Sequence, residues 1–540
     1  MFITMLLIPP LMRSAQRLQI VDIPDARKVH VGAIPRIGGI AMVAGAVIPI
    51  LVWMTPGEEV SSLLWGMAII FVFGIWDDRN DLDYRIKFFG QTLAVLVVVV
   101  FGNVSITSIP LLGGHEIPQY IAYPLTILFL LGITNAINLA DGLDGLAGGT
   151  TLLSLGVIAL LAYVEDDIQL LLISMAILGS ILGFLRFNTH PARVFMGDGG
   201  SQFLGFSVGV LSLLLTQREG ALLSTALPLL ILALPILDTT MVMVYRIREG
   251  RSPFSADKNH IHHRLLALGL THYEAVFVIY IAQSLLVLAA YSLRYYSDAL
   301  ILVVFVAFCA GVMAFFRYTT ITGWRLCRAT VSSSENIVGT TLKWLHVGTE
   351  GKITHWAAIL AFLLLTLYFT VITLTVSMVS IDLGILAAAL CVVQIIWLTL
   401  YRNRSFSWLE RGCIYILCAV VGYLSSDTPA MFISNTPLEL VFFMVLTMTV
   451  VLGFRFSMDR AFKVNTLDFL VIFSVFAVPN LPGQLLSVTY VGELLAKLIV
   501  LFYAIELILT QGKQDWRVTI LRMEMVAVAG WIGFRGIVSG

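Results

Sequence analysis

The sequence predicts an all-α, polytopic transmembrane helix bundle, and three observations carry that prediction. Hydrophobic residues fill 59% of the 540 positions and charged residues only 12%, against about 45–50% and about 25% in a soluble chain. Mean hydropathy is +0.93, so there is too little polar surface to cover the apolar mass in water, and lipid is the solvent for most of the chain. The apolar residues also fall in long Leu/Ile/Val-rich runs with short polar breaks. In hydrocarbon every backbone group must be satisfied within the protein, so runs of this length are helices. The same composition excludes intrinsic disorder, collagen and a disulfide scaffold. With 33 basic and 33 acidic side chains the formal net charge is zero, and no nucleic-acid partner is expected.

In order, the runs lie at 1–12, 38–55, 61–76, 88–103, 119–139, 146–163, 167–187, 201–217, 221–245, 274–293 and 299–316, which predicts about 11 spans in a domain over 1–320. The opening run is short for a span, which needs about 20 residues. It also lacks the basic flank and small-residue site of a cleaved signal peptide. The polar stretch from Arg317 to His355 predicts a cytoplasmic linker over 321–356. Runs at 357–379, 382–401, 412–425, 436–454, 467–487 and 490–510 then predict about six spans in a C-terminal extension, 357–540, of unassigned role. If loops alternate sides, 30 of the 33 basic residues share one side, the exceptions being Arg218, Arg294 and Lys497. The positive-inside rule makes that side cytoplasmic. Cys309, Cys327, Cys391, Cys413 and Cys418 form no CxxC pair and read as packing.

Five polar clusters fall on the cytoplasmic loops. Asp77 and Asp78 end the third span, in GIWDDRNDLDYRIKFFGQ. Adjacent carboxylates repel unless a cation sits between them. Lys87, on the same loop, reads as a point charge toward an anion or as an interface lysine reaching water. NAINLADGLDGLAGG, 135–149, spaces Asn135, Asn138, Asp141 and Asp144 by threes, which would align them on one face if the segment is helical. FNTHPARVFMGDGGSQFLG, 187–205, sets Asp198 before Gly199, Gly200 and Ser201 at the start of a span, a pattern suited to a phosphate at a helix N-terminus and to Mg²⁺ carrying it. DKNHIHHRL, 257–265, gathers His260, His262, His263 and Arg264. The surrounding oxygen donors favour Mg²⁺ or Mn²⁺ over zinc, which leaves these four as donors to a diphosphate. DIPDARKVHVGAIPRIGG, 22–39, carries Arg27, Lys28, His30 and Arg36, either facing substrate or flanking the second span. The P-loop, the GxSxG elbow and the kinase signature are missing from the sequence. Carboxylates for a metal, basic groups for phosphates and a bundle open to lipid point to transfer between a soluble phosphate-bearing donor and a lipid acceptor.

The strings DDRNDLDYRIKFFGQ, NAINLADGLDGLAGG, FNTHPARVFMGDGGSQFLG and HIHHRL resemble, in order and placement, motifs of the polyprenyl-phosphate N-acetylhexosamine-1-phosphate transferases (glycosyltransferase family 4), across about residues 1–320. The resemblance implies Mg²⁺-dependent transfer of a sugar 1-phosphate, most simply GlcNAc-1-phosphate, from a UDP-N-acetylhexosamine to undecaprenyl phosphate, releasing UMP. Carried over by motif, Asp77 and Asp78 resemble the aspartate pair near the lipid phosphate, one of them a candidate base. Asp198 resembles the magnesium ligand, with Asp77 and Asp78 beside it as further metal candidates. Lys87, Asn138, Asp141, Asp144 and Asn188 resemble residues lining the nucleotide–diphosphate cleft. His262 and His263 fall on the family's catalytic histidine motif, with His260 and Arg264 on the substrate side. The peptidoglycan branch has a third histidine where this chain has Arg264, which favours glycan priming and UDP-GlcNAc over UDP-GalNAc or UDP-MurNAc-pentapeptide.

The implied setting is the bacterial inner membrane with the site on the cytoplasmic side; the partners are the two substrates and the bilayer, with a homodimer left open. Two rivals stand beside this reading. A lipid-linked sugar transporter would explain the span count but predicts ionisable groups at mid-span, where only Asp238 stands in the first half. A non-catalytic scaffold is disfavoured by the intact aspartates. In the C-terminal extension Glu493 and Lys497 stand four residues apart, with Glu506 further on, and a self-neutralising pair is the simplest reading.

Overall fold

The computed structural model describes the chain apart from residues 19, 23–32, 56, 111–116, 219–221, 253–258, 325–349, 377–378, 401–407, 428–436, 456–496, 499, 506, 510–515 and 540. It is almost wholly helical, and ten of the described helices are long and apolar enough to cross a membrane. The chain divides into two compact units, Met1–Thr330 and Val331–Gly540. Of the linker expected at 321–356, residues 321–322 still belong to one helix and 350–356 already belong to the next.

The first unit comprises α1 (Phe2–Leu18), a two-residue strand pair β1 (Val21–Asp22) and β2 (Ile34–Pro35), α2 (Gly38–Trp53), α3 (Glu58–Asn80), α4 (Tyr84–Phe101) and α5 (Gln119–Ala140). It continues with α6 (Leu146–Val164), α7 (Ile168–Asn188), α8 (Gly197–Thr216), α9 (Leu227–Ile231), α10 (Ala233–Arg248), α11 (Ile261–Ala267), α12 (His272–Ser292) and α13 (Asp298–Thr322). At its centre stands α8, buried from Gly199 to Thr216 and packed on α2, α3, α5, α6 and α7. The N-terminal end of α8 reaches its neighbours at backbone distance. A Cβ on Gly74 would lie 2.3 Å from Gly199 Cα, and one on Gly39 would lie 2.6 Å from the Gly200 nitrogen. Any side chain at these positions would push α8 off α3 or α2.

The run expected as one span at 221–245 is broken at Leu232 into α9 and α10. Pro235 lacks the N–H that would bond back to the Ile231 carbonyl. That carbonyl instead accepts the Ser154 hydroxyl at 2.8 Å and the Gln283 amide at 2.9 Å. Two side chains from other helices therefore satisfy the acceptor that the proline leaves open.

The second unit contains α14 (Glu350–Thr375), α15 (Ile381–Leu400), α16 (Trp408–Asp427), α17 (Pro437–Arg455) and α18 (Trp516–Ser539). The expected span at 467–487 lies outside the described residues, and a shorter apolar helix occupies Val500–Leu509. No span was expected over α18, because Arg517, Arg522, Glu524 and Arg535 interrupt its hydropathy. The packing supplies what composition hides: a Cβ on Gly384 of α15 would lie 2.6 Å from Gly536 Cα, a small-residue crossing of the kind that brings membrane helices close. The buried Lys497 Nζ pairs with Glu439 Oε1 of α17 at 2.7 Å, while Glu493 and Glu506 lie outside the described residues. Cys413 and Cys418 are buried and Cys309 and Cys391 half-buried, none of them in a disulfide; Cys327 is not among the described residues.

Candidate active site

The site forms where the end of α3 meets the start of α8. Backbone pairing brings the chain there: the Phe195 N–H donates to the Pro35 carbonyl at 2.8 Å, and the Gly38 and Gly39 N–H groups donate to the Phe195 and Met196 carbonyls at 2.9 Å each. Gly197 then turns the chain at φ +70°, and α8 begins. The free N–H groups of that first turn find a carboxylate: Asp78 Oδ1 accepts from the Asp198 N–H at 2.8 Å and Oδ2 from the Gly199 N–H at 3.1 Å. Asp78 thus holds the α8 N-terminus to α3, compensating its positive end. A Cβ on Gly197 would stand 2.4 Å from Asp78 Oδ2. Gly197→Ala is expected to destabilise the fold by about 1–3 kcal/mol. Gly250→Ala, at the same φ but with open space around it, should cost only the smaller strain of the left-handed backbone. Melting temperatures of the two variants in detergent measure the difference.

Asp77 faces the other way and is buried. Its Oδ1 accepts the Leu82 N–H at 2.8 Å, and its Oδ2 lies 2.6 Å from Lys87 Nζ. The same ammonium reaches Asp198 Oδ2 at 3.2 Å. Lys87 therefore bridges two aspartates that stand 121 residues apart in the chain, and both Lys87 and Asp198 keep about a third of their side chains exposed (31% and 33%). Arg36 of the basic loop pairs with Asp22 at 2.5 Å and adds positive potential at Asp78 and Asp198. Arg27, Lys28 and His30 lie outside the described residues.

The 135–149 segment supplies the opposite wall. Asn138, on the last turn of α5, accepts the Ser201 hydroxyl at 2.6 Å. The single face expected for the four residues spaced by threes ends with the helix: α5 stops at Ala140, and Gly145 takes φ +78° to start α6. Asp141 sits at the break, and among the described residues no hydrogen bond holds its carboxylate. Burial first, then the charges of Asp198 and Asp144, push it up to about 7. Asp144 turns elsewhere, its Oδ2 accepting the Ala192 N–H at 3.0 Å and meeting His190 Nδ1 at 2.6 Å. Burial would raise it, but these two partners outweigh burial and hold it below the usual carboxylate range. Asn188 is 2% exposed. Its Oδ1 accepts the Gly145 N–H and its Nδ2 donates to the Val194 carbonyl, both at 2.9 Å, so it ties two loops together instead of presenting a free amide to the cleft.

The histidine motif is mostly spent on the protein. Asp238, singled out as a possible mid-span acid, accepts the Ile261 N–H at 2.6 Å and meets His260 Nδ1 at 2.8 Å, which fixes the start of α11. His260, expected to contact substrate, is thereby buried in a side-chain pair. His262 is buried against the Gly142 turn; a Cβ on Gly142 would lie 2.3 Å from its Nε2. Burial and the neighbouring His263 pull it down to about 4, so it stays neutral at pH 7. His263 is half-buried beside it, ring centroids 4.2 Å apart. The Arg264 guanidinium, expected to meet a diphosphate, stacks over Tyr245 at 4.4 Å and donates through Nε to the Asn259 carbonyl at 3.0 Å.

Sequence reasoning missed His190 and His272, although His190 lies inside a quoted motif. Their rings stack at 4.0 Å, and with Asp144 they bring ligand-capable atoms within 4.8 Å of one another. His190 Nδ1 is engaged by Asp144, and the Tyr273 hydroxyl donates to the His190 carbonyl at 2.9 Å. This trio braces the loop after α7.

The fold and site define a polytopic membrane protein whose acidic, lysine-bridged cleft opens at one end of the bundle, beside the N-terminus of its central helix. Residues 60–216 match the family described as Glycosyl transferase family 4. A Bacillus subtilis (strain 168) protein, "Probable undecaprenyl-phosphate N-acetylglucosaminyl 1-phosphate transferase", is 41% identical over 295 residues, 54% of this chain and 82% of the relative. An Escherichia coli (strain K12) protein, undecaprenyl-phosphate alpha-N-acetylglucosaminyl 1-phosphate transferase, is 33% identical over 319 residues, 57% and 84% of the two chains. A Mycobacterium leprae (strain TN) protein, decaprenyl-phosphate N-acetylglucosaminephosphotransferase, is 37% identical over 319 residues, 52% and 79%. The chain belongs to glycosyl transferase family 4 and is a membrane-embedded transferase.

Proposed function

We propose that this phosphotransferase moves N-acetylglucosamine 1-phosphate from UDP-GlcNAc to undecaprenyl phosphate at the cytoplasmic face of the bacterial inner membrane, releasing UMP. The observation that carries the reading is the Lys87 ammonium set between Asp77 and Asp198 at the α8 N-terminus, in a chain whose relatives bear the names given above. An oxygen of the lipid phosphate attacks the β-phosphorus of the donor. The bond from that phosphorus to the bridging oxygen breaks, and UMP leaves with the electron pair. Lys87 holds the incoming phosphates as a point charge. Exposed Trp76, Phe88 and Phe89 on the adjoining turns of α3 and α4 offer the acceptor an apolar approach from the bilayer.

The donor set fits a hard divalent cation. Asp77, Asp78, Asp141 and Asp198 are four carboxylates with Lys87 and Arg36 as nearby cations, and among the described residues no hydrogen bond holds Asp141. Asp198 and Asp141 would hold Mg²⁺ (or Mn²⁺), with Asp77 beside them; Asp78 is already committed to two backbone N–H groups. When bound, the ion supplies charge neutralisation for the diphosphate and the departing phosphate. Asp77 is buried and paired with Lys87, so in this reading its charge keeps the ammonium in place.

A panel assay tests the proposal: purified protein, undecaprenyl phosphate and separate UDP-sugars, read as UMP. UDP-GlcNAc is expected to release UMP. Release from UDP-GalNAc or UDP-MurNAc-pentapeptide alone would reassign the donor, and silence with every donor would sink the reading. A transporter remains the weaker account of the first unit, in which Asp77, Asp78, Asp141 and Asp198 lie at helix ends and not at mid-span, and Asp238 is bound to His260.

The pH dependence has a definite sign. Asp141 titrates near 7 in the fold and near 4 when unfolded, so the metal-free protein loses stability as pH rises through about 4 to 7. Cation binding requires the carboxylate. The melting-temperature gain on adding Mg²⁺ is therefore expected to be larger at pH 8 than at pH 6, and Asp141→Asn should flatten that difference.

A further inference from the structure

One layer beneath the cleft, side-chain amides join three helices. Gln91 of α4 donates through Nε2 to Asn135 Oδ1 of α5 at 3.3 Å and to Gln202 Oε1 of α8 at 3.1 Å. Asn135 Nδ2 donates back to Gln91 Oε1 at 2.7 Å and to the Leu131 carbonyl at 2.8 Å. Gln91 and Gln202 are 3% and 2% exposed. Amides buried in an apolar bundle are a costly way to fill space unless they bond to one another. Here they bond across helices that meet at the site.

Their positions match the site residue for residue. Gln91 follows Lys87 by four on α4, Gln202 follows Asp198 by four on α8, and Asn135 precedes Asn138 by three on α5. Residues three or four apart share a helix face, and one such step is about 5–6 Å along the axis. Each member of the amide cluster therefore stands one turn below a cleft residue on the same face of the same helix. A rotation or slide of any one of the three helices would break an amide bond as well as displace Lys87, Asn138 or Asp198. The Gln91–Asn135 pair is reciprocal, and the same Gln91 Nε2 also donates to Gln202, so a flip of the Gln91 amide would break both contacts.

We infer that Gln91, Asn135 and Gln202 are positioning residues for the transfer reaction: their shared hydrogen bonds set the relative heights of α4, α5 and α8, and with them where Lys87, Asn138 and Asp198 meet the two substrates. The inference rests on the reading of the cleft as a sugar-phosphate transferase site. None of the three amides touches the reacting groups in this account.

The test replaces the amides by apolar side chains of similar volume, in the triple variant Gln91→Met, Asn135→Leu, Gln202→Met and in Gln202→Met alone. Removing all partners together leaves few orphaned groups, so the melting temperature in detergent should hold. kcat is expected to fall about 10–100-fold, the usual scale for losing an orienting partner, with KM for UDP-GlcNAc little changed. The electron paramagnetic resonance spectrum of bound Mn²⁺ should alter as well. Exchanging the pair, Gln91→Asn with Asn135→Gln, should recover part of the activity lost in Gln91→Asn alone. Wild-type kcat in the triple variant, or activity that falls only in step with melting temperature, would overturn the inference. If the wild-type protein proves inert with every donor, the reading of the site fails by itself; the Mn²⁺ spectrum then still decides, and an unchanged spectrum in the triple variant rejects positioning.

Discussion

Asp198→Asn is expected to abolish transfer, lowering UMP release by at least about 10²–10³-fold, while the protein remains folded in detergent. The two halves of that expectation come from different atoms. The side chain lies on the first turn of α8 with a third of its surface exposed, and its ion pair with Lys87 at 3.2 Å is partly solvated. Such a pair contributes about 1 kcal/mol or less. The amide keeps the carboxylate's shape, the Asp198 backbone N–H still donates to Asp78, and Lys87 keeps its closer partner Asp77. What disappears is a negative charge at the mouth of the cleft. Size-exclusion profile and melting temperature should match the wild-type protein, and near-wild-type turnover would remove Asp198 from the metal site.

Metal removal should have an equally large effect. Asp141 and Asp198 carry the free charge of the proposed site, since Asp77 is paired with Lys87 and Asp78 with two backbone N–H groups. A sugar nucleotide brings a diphosphate and the acceptor brings another phosphate, so the substrates would enter against net repulsion. EDTA is expected to stop UMP release entirely, and excess Mg²⁺ or Mn²⁺ to restore it. Full turnover in chelator would contradict the proposed use of Asp198 and Asp141. Because screening weakens exposed pairs first, high salt alone should not substitute for the divalent ion.

The bundle was legible because hydropathy is a local property: α3 to α8, α12 and α13 all sit within a few residues of their apolar runs. The cleft was legible because glycine beside aspartate marks places where backbone must approach closely, as at Gly197–Asp198 and Asp141–Gly142. Properties that depend on a distant partner were not legible. Whether His260 and Arg264 face a ligand turns on Asp238 and Tyr245, neither of which their own sequence neighbourhood reveals. The break at Leu232 depends on hydroxyl and amide groups from α6 and α12 being present to receive a freed carbonyl. The charged helix α18 turns Arg517 and Glu524 inward, to the His355 carbonyl and the Thr366 hydroxyl of α14, and leaves Ile520, Met523, Trp531 and Phe534 exposed.

The glycine contacts of α8 with α2 and α3 carry a consequence for donor choice. Where backbone meets backbone there are no rotamers to rearrange, so α8 keeps its place against α2 and α3 whatever hexosamine the proposed donor carries. On the proposed reading, discrimination between sugars would fall to side chains with room to vary, such as the exposed Arg193. Substitutions on the segment after α7 are therefore expected to shift preference in the UDP-sugar panel, whereas swaps at the glycine contacts of α8 would erode turnover first.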